Sequence, residues 1–103
     1  YKGIKLDSSW ELELAKRLDE LQIKWIRPEP IKWVDKNGYE RNYFPDFYLP
    51  EYNVFLDPKN PQAFLVQKDK IDCLTKQYDN IIFLHSIDEI DNFAPVLALT
   101  SNQ

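Results

Sequence analysis

The sequence predicts a single mixed α/β domain with the element order helix, three strands, helix, strand (αβββαβ), and three stretches lead to that reading. Residues 8–22 carry apolar side chains at helical spacing. Residues 31–59 break into short, aromatic-rich runs separated by turn residues, the pattern of successive hairpins. Residues 62–84 return to helical spacing and close on Ile81-Ile82-Phe83-Leu84, a short apolar run of the kind that forms a buried strand. With 103 residues, the chain has room for one hydrophobic core.

Composition narrows the class. Hydrophobic content of 44% and charged content of 29% are ordinary for a water-soluble globular domain. No apolar run approaches the ~20 residues of a membrane span, and no signal-peptide pattern opens the chain, so no membrane partner is expected. Cys73 is the single cysteine, which rules out an internal disulfide and suits a reducing compartment. With one cysteine and one histidine a standard zinc site cannot be built. Gly3 and Gly38 are the only glycines, which excludes a glycine-rich phosphate loop, and no nucleophile-elbow pattern accompanies His85. There is no methionine and the chain starts at Tyr1, so it reads as a piece of a longer protein.

The net charge of −4 runs against nucleic-acid binding, because phosphate contacts want lysine and arginine. The charge is uneven, however. Residues 24–43 and 59–76 each carry a net +2, while residues 86–103 carry −3. Carboxylates that hold a metal also count as negative, and a bound cation reverses their local field.

Taken in order, residues 1–7 form a lead-in with no decisive pattern. The first helix starts at Ser8 or Ser9, where Ser8-x-x-Glu11 has the form of a capping box, and runs to about Gln22. At about 100° per residue, Trp10, Leu14, Ala15, Leu18 and Leu21 make one apolar stripe. Glu11 falls inside that stripe, whereas Glu13, Lys16, Arg17, Asp19 and Glu20 fall outside it. Two roles are open to Glu11: a capping carboxylate reaching back to Ser8, or an acidic group aimed at the centre of the domain.

Ile23–Arg27 is a short extended run, ended by Pro28-Glu29-Pro30. Ile31–Val34 and Tyr39–Phe44 flank Asp35-Lys36-Asn37-Gly38, a hairpin signal with Asn-Gly at its tip. Trp25, Trp33, Tyr39, Tyr43 and Phe44 are read as strand packing rather than base-stacking platforms. Phe47–Leu49 and Asn53–Leu56 are then joined by Pro50-Glu51-Tyr52-Asn53. A four-residue turn centred between Glu51 and Tyr52 sets 48 opposite 55 and Asp46 opposite Asp57. Directly opposed side chains have Cβ atoms ~4.5–5.5 Å apart, and like charges placed there destabilise a hairpin unless something compensates them. Lys59, two residues beyond Asp57, points to the same face of a continuing strand. Two carboxylates and an ammonium group are thus expected to converge.

After Asn60-Pro61, a helix is expected from about Gln62 to Tyr78, with Phe64, Ile71, Leu74 and Tyr78 as its stripe, Gln67 inside it and Lys68 at its edge. Lys70 and Lys76 read as solvated. His85 reads as a strand-end residue, and a last short helix spans Asp88–Phe93. The tail from Thr100 is expected to fray.

Pro45-Asp46 followed about ten residues on by Asp57-Pro58-Lys59 resembles the PD-(D/E)-x-K motif of the restriction-endonuclease-like nuclease superfamily. The resemblance covers roughly residues 8–85 and is nearest to compact phage and bacterial members, homing-type endonucleases and transposon endonuclease subunits among them. It implies a mixed four-stranded sheet flanked by helices, a Mg²⁺ cofactor (Mn²⁺ as substitute), DNA as substrate, and a bacterial or phage-infected cytoplasm. It further implies that Asp46, Asp57 and the Pro58 carbonyl hold the cation, with Glu11 direct or through water. Lys59 would orient the attacking water and stabilise charge on the phosphate. Gln67 and Lys68 are the candidates for DNA contact, and a homodimer or a separate recognition domain would complete the substrate site. Asn60 stands where many relatives have glycine, and Pro58 stiffens the middle position while still offering a carbonyl.

Metal-dependent phosphodiester hydrolysis fits this residue set because Mg²⁺ held by one or two carboxylates keeps open positions for water and phosphate. Two other roles stay open. Lys59 could be a structural partner of Asp57, and the whole domain could be a non-catalytic nucleic-acid-binding or assembly module that keeps the fold.

Overall fold

The structure is a computed structural model that describes residue 3 and residues 9–95. The Ser8 side of the capping box, the lead-in and the tail from Thr100 lie outside the described residues, apart from Gly3.

Helix α1 spans Ser9–Glu20, ending short of the expected Gln22, and buries Glu11, Leu14, Ala15 and Leu18, while Trp10 and Leu21 of the expected stripe are partly buried against the same core. It ends in a Schellman arrangement: Gln22 takes a left-handed φ of 58°, Ile23 N–H donates to Leu18 O at 2.9 Å, and Gln22 N–H to Asp19 O at 3.0 Å. Strands β1 (Ile31–Val34) and β2 (Glu40–Tyr43) pair antiparallel around the Asn37-Gly38 tip. Gly38 supplies the φ of 86° that a three-residue hairpin loop requires. Asp35 pins that loop by accepting from the N–H groups of Asn37 and Tyr39. Its carboxyl is held below the usual range, chiefly by its hydrogen bond from Arg41.

Strands β3 (Phe47–Leu49) and β4 (Val54–Pro58) pair antiparallel, with Phe47 opposite Leu56 and Leu49 opposite Val54. Asn53, at φ 53°, closes the turn with N–H to Leu49 O at 2.8 Å. This is the register expected from the four-residue turn. Helices α2 (Pro61–Val66) and α3 (Lys68–Gln77) lead to β5 (Ile81–Leu84), which runs parallel to β4. Helix α4 (Ile87–Asp91) follows, N-capped by Ser86.

The fold is mixed α and β, but among the described residues the strands do not form the single four-stranded sheet expected from the resemblance. The strands divide into a two-stranded sheet, β1-β2, and a three-stranded mixed sheet, β3-β4-β5. Two features separate them. Phe44-Pro45 interrupts the chain after β2, and proline has no N–H for a ladder. The free edge of β3 is taken instead by Ile26, which exchanges both backbone hydrogen bonds with Tyr48 at 3.0 and 2.9 Å.

The single helix expected over residues 62–78 is also broken, at Gln67. No glycine or proline marks the break. It lets α2 set Phe64 edge-on to Phe83 and His85, while α3 turns Ile71 and Leu74 inward. Asn60, the departure from the family pattern, has a structural task here: its side chain caps α2 by accepting from Ala63 N–H at 2.8 Å. β5 is an edge strand in which only Leu84 is fully buried, so its all-apolar sequence overstates its burial.

Both faces of β4 are covered, as the consecutive burial of Leu56 and Asp57 requires. Leu56 joins Phe47, Leu49 and Leu84 against Leu14, Ala15 and Leu18 of α1 and Ile90 of α4. Each buried Leu, Ile or Phe side chain of this set contributes roughly 1.5–3 kcal/mol. On the other side, Trp33 and Tyr43 of the β1-β2 hairpin pack on Leu74 of α3, with Ile81 and Phe83 against them. Asp57 therefore sits where the hairpin, the sheet and the α2–α3 pair meet.

Candidate active site

Continuing the β3–β4 register by one step beyond Phe47 and Leu56 puts Asp46 across from Asp57. Asp57 is only 3% exposed. Burying a carboxylate is costly unless it is paired and hydrogen-bonded, and Asp57 has both kinds of partner. The Tyr43 hydroxyl donates to Oδ2 in a very short hydrogen bond. Lys59 Nζ lies 3.6 Å from the same oxygen. The Tyr43 hydroxyl is pushed far above its ordinary pKa by burial and then by the charge of Asp57, so it remains a donor.

Asp46 is in a different state. Its carboxyl is pushed up to about 8, first by burial, then by the negative charges of Asp57 and Glu11; Arg27 opposes the shift. The shift favours the protonated form, which can donate a hydrogen bond to Asp57. Crowding a second carboxylate into one desolvated spot disfavours the charge on Asp46 for the same reason that opposed like charges destabilise a hairpin.

Glu11 reaches this spot from α1 through Arg27. The guanidinium donates Nη2–H to Glu11 Oε1 at 3.1 Å and Nη1–H to Asp46 Oδ1 at 3.4 Å. Glu11 is thus core-facing, as its helical phase predicts, and engaged with the hairpin's carboxylate rather than isolated from it.

Pro58 presents its carbonyl toward the β3 side. Lys59 N–H donates across to Leu84 O of β5, and backbone groups alternate along a strand. Extending the β3–β4 register two steps past Phe47 sets Pro45 across from Pro58, and proline has no N–H to offer that oxygen.

Lys59 Nζ donates to Gln67 Oε1 at 3.3 Å, which places Gln67 at the site through the helix break. Lys68 is not brought there: it is exposed and bridges Asp72 at 3.1 Å on its own helix. Lys70, expected to be solvated, is half-buried instead. Its Nζ lies 5.2 Å from the centre of the Tyr43 ring, and its pKa is lowered by burial and then by Lys59. An open cleft of about 380 Å³, lined by Ser9, Trp10, Pro58, Lys59, Asn60 and Ala63, leads to the C-terminal end of β4.

Sequence reasoning missed Arg27, Tyr43 and Lys70 as members of this site. Arg27 carried one faint signal, a cation at the alternating position that follows Ile23 and Trp25 in the Ile23–Arg27 run. Tyr43 and Lys70 carried none, because an aromatic in a strand and a lysine on a helix have far commoner duties.

The donors are all hard oxygens, the type Mg²⁺ and Mn²⁺ prefer. Among the described residues no three Asp, Glu, His or Cys side chains stand together as a ready metal cluster. What is assembled is two carboxylates with a carbonyl beside them. Compared with protein-family models, curated proteins and solved structures, the chain matches none of them.

Proposed function

We propose that this domain is a Mg²⁺-dependent DNA endonuclease of the PD-(D/E)-x-K type. The observation that carries the reading is the opposition of Asp46 and Asp57 that follows from the β3–β4 register, with Lys59 on the same face two residues on. Two carboxylates brought together in a desolvated spot concentrate negative charge for which a divalent cation is the natural counterpart. Mg²⁺ also suits a site of one or two carboxylates completed by water and substrate phosphate, rather than an all-protein cage.

Asp46, Asp57 and the Pro58 carbonyl would hold the cation. When bound it would supply an activated water and neutralise charge on the phosphoryl oxygens. The chain's own residues do the rest. Tyr43 fixes the Asp57 carboxylate through Oδ2. Gln67 holds Lys59 so that its ammonium faces the Asp57 end of the site, where it orients the attacking water and stabilises charge on the phosphate. Glu11 anchors Arg27 beside Asp46. The cleft past Lys59 and Asn60 gives a phosphate backbone a route to these groups.

Nicking of supercoiled plasmid in Mg²⁺ or Mn²⁺ tests the reading, run beside thermal melting with and without cation. Nicking that is lost in Asp57→Ala, together with a cation-dependent rise in melting temperature that the same change removes, is the expected result. Binding of duplex, branched and single-stranded DNA without any cleavage would favour the non-catalytic module instead.

A further inference from the structure

Arg27 occupies an unusual position for an arginine that the nuclease motif does not include. Its backbone is fixed beside β3 by the paired hydrogen bonds of its neighbour Ile26 with Tyr48, and Pro28 after it disfavours a helical conformation at Arg27. Its side chain is 30% exposed and spans two carboxylates from different layers, Glu11 on α1 and Asp46 before β3, at 3.1 and 3.4 Å. Glu11 is the more deeply buried of the two, with 9% side-chain exposure against 23% for Asp46. Asp46 Oδ1, the oxygen that Arg27 contacts, belongs to a carboxylate that would also serve a divalent cation.

We propose that Arg27 is a resident counter-ion for the cation site: it ties Glu11 to Asp46 while the site lacks a divalent ion, and it yields Asp46 when the ion enters. The inference rests on the nuclease reading for the identity of the ion. Three physical facts lead to it. A guanidinium stays charged at any working pH, so it cannot yield by losing a proton and must move. A dication and a guanidinium sharing one carboxylate repel strongly at such separations in a partly desolvated site. Glu11, the better-buried partner at the shorter distance, retains its hold, so Arg27 stays tethered within reach of the site. The partly exposed fork can then turn to a phosphoryl oxygen, which it matches in shape and charge. Arg27 is by this account a positioning residue that works through Asp46 and Glu11.

The test uses Mn²⁺ as the probe and reads binding and stability rather than cleavage. Mn²⁺ affinity is measured by electron paramagnetic resonance or calorimetry, and melting is followed in EDTA, for wild type, Arg27→Gln, Arg27→Lys and Lys24→Gln. Arg27→Gln is expected to melt lower than wild type in EDTA and yet bind Mn²⁺ about tenfold more tightly, because a competitor for Asp46 has gone. Arg27→Lys keeps the charge without the fork and is expected to fall between the two on both measures, which preserves the test if the glutamine variant folds poorly. Lys24→Gln removes the same charge from an exposed residue three positions away and is expected to leave affinity unchanged. Affinity in Arg27→Gln equal to or weaker than wild type overturns the inference while leaving the nuclease reading standing. Equal tightening in Lys24→Gln also overturns it, by showing a bulk charge effect. Wild type that binds no Mn²⁺ overturns both.

Discussion

Replacing Asp46 by asparagine keeps the size and shape of the side chain and removes its ability to ionise. In the folded protein the Asp46 carboxyl is raised from 3.8 to about 8. Between those two values the folded state binds a proton that the unfolded state has released, so stability falls as pH rises through that window and levels off above it. Each unit of displacement corresponds to ~1.36 kcal/mol. The whole displacement therefore gives an upper figure of roughly 5–6 kcal/mol. The side chain keeps 23% exposure and faces Arg27, and solvent screening reduces the expected penalty to about 2–4 kcal/mol. The asparagine variant has no such penalty. It is expected to match wild type near pH 4 and to exceed it by about 2–4 kcal/mol near pH 9, on the order of 10–25 °C in melting temperature for a domain of this size. Urea titrations in EDTA across that range, followed by tryptophan fluorescence, provide the measurement. Wild-type and variant stabilities that run parallel from acid to alkali would refute the picture of a crowded carboxylate pair. In the same series, apparent Mn²⁺ affinity of the wild type is expected to rise about tenfold per pH unit up to about 8, since the ion must displace the Asp46 proton.

Three further expectations separate the roles of neighbouring groups. Glu11→Gln is expected to cut plasmid nicking strongly while Glu13→Gln changes it little, and equal small effects would return Glu11 to a capping role. Lys59→Ala is expected to lower nicking by ~10²–10³ with cation binding retained; loss of stability with nicking of the folded fraction intact would make Lys59 a structural partner of Asp57. Tyr43→Phe takes the hydroxyl donor from the buried Asp57 carboxylate and is expected to cost about 1–3 kcal/mol in urea unfolding, and a stability unchanged within a few tenths of that range would show that the hydrogen bond contributes nothing net.

Much of the local structure was legible because it depends on near neighbours. The apolar period of residues 10–21 set the phase of α1 and hence the inward direction of Glu11. Asn37-Gly38 marked the first hairpin, and the length of the Pro50–Asn53 turn set the register that brings Asp46 opposite Asp57. The break at Gln67 was not legible, since helix propensity is continuous across it and only packing of Phe64 on Phe83 and of Leu74 on Trp33 and Tyr43 demands a change of direction. Lys70 was misread for a related reason: a lysine stem can lie over an aromatic ring, but its own helix does not reveal that ring.

The sequence by itself determined the elements, the hairpin register and the pair of opposed aspartates, because turn chemistry and side-chain period act over a few residues. Only the tertiary structure decided what surrounds those aspartates. Arg27 reaches Glu11 and Asp46 from 16 and 19 residues away, Tyr43 reaches Asp57 across 14, and Gln67 reaches Lys59 from the start of the next helix. The division into two sheets was likewise settled at a distance, when Ile26 took the edge of β3 that a fourth strand would have used. Local pattern chooses which residues face one another, whereas desolvation and charge at a site depend on every element that closes over it.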